Sequence, residues 1–91
     1  MIQIIALLYA SNTGIEGLRK FESKSIPILR EHNGNLISAS YNENKSIDEP
    51  DEIHVIQFPS AENFEAYKSD ARVVELASLK SEIISKMDVF I

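Results

Sequence analysis

"DEIHVIQFPSAENFEAYKSD" runs from Asp51 to Asp70 and changes period halfway along. Glu52 to Phe58 is short and rich in β-branched and aromatic side chains, the pattern of a strand. Pro59-Ser60 ends that run, and Ser60 is a good cap for the helix that follows, where Phe64, Tyr67 and Ala71 recur at helical spacing. The strand is apolar on both sides: Ile53 and Val55 lie on one, Ile56 and Phe58 on the other. His54 and Gln57 interrupt it, one on each side.

Upstream, "IQIIALLY" at 2–9 is a strand of the same two-sided kind. "SNTG" at 11–14 ends it and supplies three candidate N-caps, Ser11, Asn12 and Thr13. Leu18, Phe21 and Ile28 then form a helical stripe with Ser25 and His32. Pro27 lies inside this helix and is expected to bend it near Ser23. "HNG" at 32–34 supplies a left-handed stop. "NLISASY" at 35–41 is a second strand, and 42–51 is a polar loop. Downstream of Tyr67, "KSD" at 68–70 is a possible break with Ser69 or Asp70 as a new cap. Val73 to Ile84 extend the helix to about residue 86, and "MDVFI" is a last strand. The order is strand, helix, strand, strand, helix, strand. That is the ferredoxin-like βαββαβ arrangement of the α+β class: a four-stranded antiparallel sheet with two helices on one face.

The 91 residues are expected to form one domain, 1–91. A core of this size is marginal, and without cysteine neither disulfides nor thiolate metal ligands can support it. Charge is uneven: residues 1–47 sum to +1 and residues 48–91 to −6. With no basic stripe and no tryptophan, nucleic acid is not an expected partner. The N-terminal apolar run is too short for a membrane span and has no basic lead, so a cytoplasmic location is the default. The acidic run Asp48-Glu49-Pro50-Asp51-Glu52 reads as a solvated loop.

The two-sided strands carry a further expectation. Two helices cover one face of a four-stranded sheet and leave the other open, and an open face ought to be polar. Here Ile5, Leu7, Ile53 and Val55 lie opposite the helix-facing residues. A second copy packed sheet to sheet would bury them, so a homodimer is expected.

His54 has two readings. As chemistry it is a general base in a cleft between sheet and helices; as structure it bonds a ring nitrogen to a loop carbonyl or to an acidic neighbour such as Glu52 or Glu22. Gln57 either lines a pocket facing Gln3 or Tyr9, or forms a polar pair in the interface. His32 sits where a cation suits the end of its helix. Two histidines without a spacing relation do not make a metal site, so no metal and no organic cofactor is implied. In this topology the first and third strands are expected to lie side by side and parallel, so that both helices begin at the same end. Tyr9, Ser11, Asn12, Thr13, Ser60 and Asn63 would then ring a spot suited to a small anion, or simply cap their own helices.

Several features also resemble a known group. They are Phe21-Glu22, Ile26-Pro27 and Asn33-Gly34, then Glu52-Ile53-His54, Phe58, Ser60 and the Phe64/Tyr67 pair. The chain resembles an uncharacterised family of small dimeric α/β-barrel proteins, distantly related to antibiotic biosynthesis monooxygenases and muconolactone isomerases. The resemblance implies a ferredoxin-like subunit whose sheet pairs with a partner's to form a barrel. It transfers no catalytic motif, because this scaffold hosts unrelated chemistries. The functional expectation is a homodimer that binds a small apolar or aromatic-carboxylate ligand, with Tyr9, Asn12, His54, Gln57 and Ser60 as candidate contacts. The alternatives are a cofactor-independent monooxygenase or isomerase using His54 and Tyr9, and an assembly module without a ligand.

Overall fold

A computed structural model describes residues 1–91. The elements are β1 (Ile2–Ala10), α1 (Gly14–Glu31), β2 (Asn35–Tyr41), β3 (Glu52–Phe58), α2 (Ala61–Ser69), α3 (Ala71–Glu75), α4 (Ala77–Ile83) and β4 (Ile84–Phe90). They build one four-stranded sheet in the order β2-β3-β1-β4, antiparallel at every step. β1 and β2 therefore run the same way with β3 between them, joined by α1. β3 and β4 run the same way with β1 between them, joined by α2 to α4. Two βαβ units are each split by a strand of the other.

β1 and β3 lie side by side as expected, but they run antiparallel, which corrects the expected parallel direction. The loop 42–51 joins β2 to β3 as a hairpin, so β3 must oppose β2, and with it β1. The register runs from Ile2 opposite Phe58 to Leu8 opposite Glu52. α1 thus starts at one end of the sheet and α2 at the other. The expected convergence of two helix N-termini does not occur.

The sheet's inner face carries Ile4, Ala6, Leu8 and Phe58, all at most 6% exposed. They pack in two clusters against the helices. Leu8 and Ala6 meet Leu18 of α1, Ile83 of α4 and Ile84. Ile4 and Phe58 meet Leu29 of α1, with Phe64 and Tyr67 of α2 alongside. The outer face presents Gln3, Ile5, Leu7 and Tyr9 of β1 beside Ile53, Val55 and Gln57 of β3, and no helix of the chain packs on it.

α1 buries Leu18, Glu22, Ser25, Ile28 and Leu29 and carries the exposed Pro27 within it. It stops where expected: Asn33 takes the left-handed conformation (φ 64°), and the Gly34 amide donates to the Leu29 carbonyl at 2.9 Å. Gly34 is needed for space, since a Cβ there would lie 2.7 Å from Leu29 Cδ2 and 2.8 Å from the Phe58 ring.

Two local expectations are corrected, at the start of α1 and at the start of β4, and the expected break at Asp70 is found. None of the three candidate caps closes the start of α1 with its side chain. Thr13 holds the N-cap position, and Ser11 instead donates its hydroxyl to the Glu82 carbonyl at 2.6 Å. The second helical segment is three helices. Asp70 both ends α2 and caps α3, accepting from the Arg72 amide at 2.9 Å, and a second break falls at Leu76. β4 begins at Ile84, earlier than expected, because Ala10 and Ser11 capture the backbone at Ile83 and Ile84 into the sheet.

The acidic run 48–52 is not one solvated loop. Asp51 accepts from the Ala10 amide at 2.8 Å, and Glu52 is wholly buried. No helix of the chain is long and apolar enough to cross a membrane.

Candidate functional site

Between the inner face of the sheet and the helices lies a cavity of about 760 Å³. Its floor is Ile4, Ala6, Leu8 and Ile56, and α2 to α4 form its far wall through Tyr67, Val73 and Leu76. Neither α2 nor α3 has a buried residue, so this wall is thin and its outer end is open at the exposed Val74. Seventeen of its twenty-two lining residues are apolar. The other five are Glu22, Ser25, His54, Lys68 and Lys80.

His54 reaches the cavity because of its place in the register. It stands on the inner face between Ala6 of β1 and Ala39 of β2, whose methyl groups leave room for the ring. Glu52 is two residues earlier on the same face. α1 presents Arg19 and Glu22, one turn apart, to the same spot. His54 Nε2 donates to Glu52 Oε1 at 2.7 Å and lies 3.4 Å from Glu22 Oε2. Arg19 Nη1 donates to the other oxygens of the pair, Glu22 Oε1 at 2.7 Å and Glu52 Oε2 at 2.6 Å. Two cationic groups thus hold two carboxylates from opposite sides. Glu22 Oε2 is the one buried side-chain polar atom without a hydrogen-bond partner.

The charges set one another. Burial pushes the Glu22 carboxyl up, but the His54 ring 3.4 Å away and the Arg19 guanidinium outweigh it and hold the group down at about 2. Burial and the neighbouring Glu22 carboxylate push Glu52 up, against Arg19 and His54. Burial alone would lower His54, yet its bonds to Glu22 and Glu52 raise it above its ordinary value, so the ring favours the imidazolium.

Glu22, Glu52 and His54 each place a ligand-type atom within 4.8 Å of the others, a donor set that a divalent cation accepts. Arg19 already bridges both carboxylates at hydrogen-bond distance and fills the role of counter-charge.

The structure scatters the other expected contacts. Tyr9 lies on the outer face with Lys86 Nζ 4.9 Å from its ring centre. Gln57 is on that face too, donating to Gln3 Oε1 at 3.2 Å. Asn12 is exposed in the loop after β1. Ser60 lies at the opposite end, where it caps α2 by accepting from the Asn63 amide at 3.3 Å. Of the expected contacts only His54 lines the cavity. Its bonds to Glu52 and Glu22 are those the structural reading named. Arg19 was missed, although its three-residue spacing from Glu22 on one helix face was a usable signal.

No protein-family model matches the sequence, and a search of curated proteins returns no match. Solved structures do match. A protein of unknown function from Rhodopseudomonas palustris is 14% identical with a TM-score of 0.77, covering 97% of this chain and 77% of that one. An uncharacterized NIPSNAP domain protein from Burkholderia xenovorans is 8% identical with a TM-score of 0.77, covering 99% and 90%. A dimeric protein of unknown function and ferredoxin-like fold from Bacteroides fragilis is 11% identical with a TM-score of 0.71, covering 97% and 90%. At these identities the likeness is one of fold, and in fold this chain stands among uncharacterised, ferredoxin-like NIPSNAP-domain proteins.

Proposed function

We propose that the protein is a homodimeric α/β-barrel that binds one small apolar or aromatic ligand per subunit in the cavity under α2 to α4. The observation that carries this is the cavity itself: about 760 Å³, mostly apolar in its lining, with a buried ionic cluster at one place in its wall. Ligand sites commonly have that composition and size. The dimer rests on the outer sheet face. Ile5, Leu7, Ile53 and Val55 form an apolar strip there, and Ile5 is 36% exposed in the isolated subunit. Packing two such faces buries both.

Native mass spectrometry of the protein as purified from cells tests both parts. The expected result is a dimer that retains added mass or takes up an apolar naphthalene probe with one site per subunit. A monomer would remove the barrel. A dimer that takes up no apolar probe would leave an assembly module.

A second reading is an isomerase or cofactor-independent oxygenase acting in the same cavity. The buried Glu22–His54–Glu52 cluster at the cavity wall favours it, since it offers a proton donor and a carboxylate side by side.

A further inference from the structure

Glu22, Glu52 and His54 come together from two elements. Glu22 belongs to α1, and Glu52 and His54 share the inner face of β3, so no local spacing in the sequence announces them as a set. All three are more than nine-tenths buried, at 7%, 0% and 6% exposure. The two carboxylates divide their oxygens in the same way. One oxygen of each, Glu22 Oε1 and Glu52 Oε2, accepts from Arg19 Nη1 at 2.7 and 2.6 Å. The other oxygen of each faces the imidazole: Glu52 Oε1 lies 2.7 Å and Glu22 Oε2 3.4 Å from the same nitrogen, His54 Nε2.

One N–H serves only the nearer of the two. It goes to Glu52, and Glu22 Oε2 is left as the one buried side-chain polar atom without a hydrogen-bond partner. A carboxylate oxygen sealed from water with nothing to accept from is costly, and native folds rarely keep one without a reason. One nitrogen and two carboxylate oxygens thus converge on a point where there is a single proton.

We propose that this point binds a divalent transition-metal ion, Zn2+ foremost, through His54 Nε2, Glu52 Oε1 and Glu22 Oε2. An imidazole with two carboxylates is a donor set that zinc takes. The spacing suits it. In a tetrahedral site with bonds of about 2.0–2.1 Å, neighbouring ligand atoms stand about 3.3 Å apart. Glu22 Oε2 is already at that separation from Nε2, and Glu52 Oε1 has only to retreat by about half an ångström as the ion replaces the Nε2 proton. The two carboxylates match the charge of the ion, and the imidazole binds in its neutral form. Arg19 keeps the outer oxygens and so orients each carboxylate as a one-oxygen ligand. Its side chain is 50% exposed, so water screens its charge from the ion. Glu22 and His54 border the cavity, which offers an ion a route to the site. The donor set is complete whether or not the cavity holds an apolar ligand.

The test uses the untagged full chain, stripped of metal with a chelator and titrated with Zn2+. Calorimetry and native mass spectrometry are expected to give one ion per subunit, with a dissociation constant below about 1 µM. In protein carrying 15N-labelled histidine, Zn2+ is expected to move the His54 Nε2 resonance and to leave His32 in place. The His32–Asp70 pair, 2.9 Å apart, is the other histidine–carboxylate contact of the chain and serves as the internal control. Glu22→Gln, which keeps the length of the side chain, is expected to weaken Zn2+ binding by about ten-fold or more, and His32→Gln to leave it unchanged. No bound ion, or a bound ion with His54 Nε2 unmoved, overturns the proposal. So does an affinity that falls in His32→Gln and not in Glu22→Gln. The histidine resonances are read in the unmodified protein, so they decide the matter even if a variant does not fold.

Discussion

Ala6 and Ala39 flank His54 on the neighbouring strands, and those two small side chains make the buried cluster possible. Replacing Ala6 by Leu is expected to push the ring from Glu52 and destabilise the protein by about 1–3 kcal/mol through overpacking, measured as a fall in the urea midpoint. Glu52→Ala removes the acceptor of His54 and one of the two acceptors of Arg19. Because the Glu52 side chain is wholly buried, a loss of about 3 kcal/mol is expected in the same measurement. A change near zero would mean that the cluster rearranges around Glu22. The pH dependence has two limbs. Glu22 is held below its ordinary value, so its contribution is present above about pH 4.5 and is lost as pH falls towards about 2. His54 is raised, so its contribution is present below its ordinary value of 6.5 and is lost as pH rises through the higher folded value. Thermal midpoints between pH 2 and 9 are expected to form a plateau bounded by these limbs. Glu22→Gln is expected to flatten the acid limb.

Elements differ in how firmly they are held. α1 buries a full stripe, whereas α2 and α3 bury nothing. Amide hydrogen exchange is expected to be fast through 61–75 and slow through the middle of α1, with β1 and β3 slowest because both are paired on both edges. The junction between α2 and α3 depends on Asp70. It caps α3, pairs with Arg72 and accepts from His32 Nε2 at 2.9 Å, and these partners, Arg72 first and His32 next, hold its carboxyl well below the usual range. Asp70→Ala is expected to lower the urea midpoint, as the loss of a helix cap does. Protection in 61–75 should fall with no change at β1.

This unevenness also explains what was legible beforehand. β2 and β3 stand where hydrophobic pattern and turn residues placed them, because Gly34 and Pro59 punctuate them plainly. The bounds of β4 were not legible. Ile83 and Ile84 suit a helix or a strand equally, and the choice is made by pairing with Ala10, 74 residues away. The cavity cluster was legible in pairs and not as a whole. Glu52 sits in an acidic run that looks solvated, and only the register with Leu8 reveals it as buried.

At the scale of the whole molecule the open question is the outer face. A stable interface needs roughly 800 Å² from each partner. If the sheets pack as proposed, Val55→Lys is expected to give a monomer on size-exclusion chromatography with the secondary structure unchanged in circular dichroism. The reason is its central place, opposite Ile5 in the middle of the strip. A lysine at the exposed Ile47, in the loop between β2 and β3, is the matching control and is expected to leave the dimer intact. The Gln3–Gln57 pair on the same face is expected to become inaccessible to solvent in the dimer, which hydrogen exchange of the side-chain amides reads directly.

The interleaving of the two βαβ units has a consequence for how the chain is made. β1 is translated before every other element, yet one of its edges is completed by β3 and the other only by β4. While a ribosome works through residues 11–83, an apolar strand with an unfilled edge is exposed to anything that can add to it. The sheet closes only once Ile84 to Phe90 have emerged. The last of the three strand pairings therefore arrives late and from a distant part of the sequence, and until then one edge of β1 stands open to other chains.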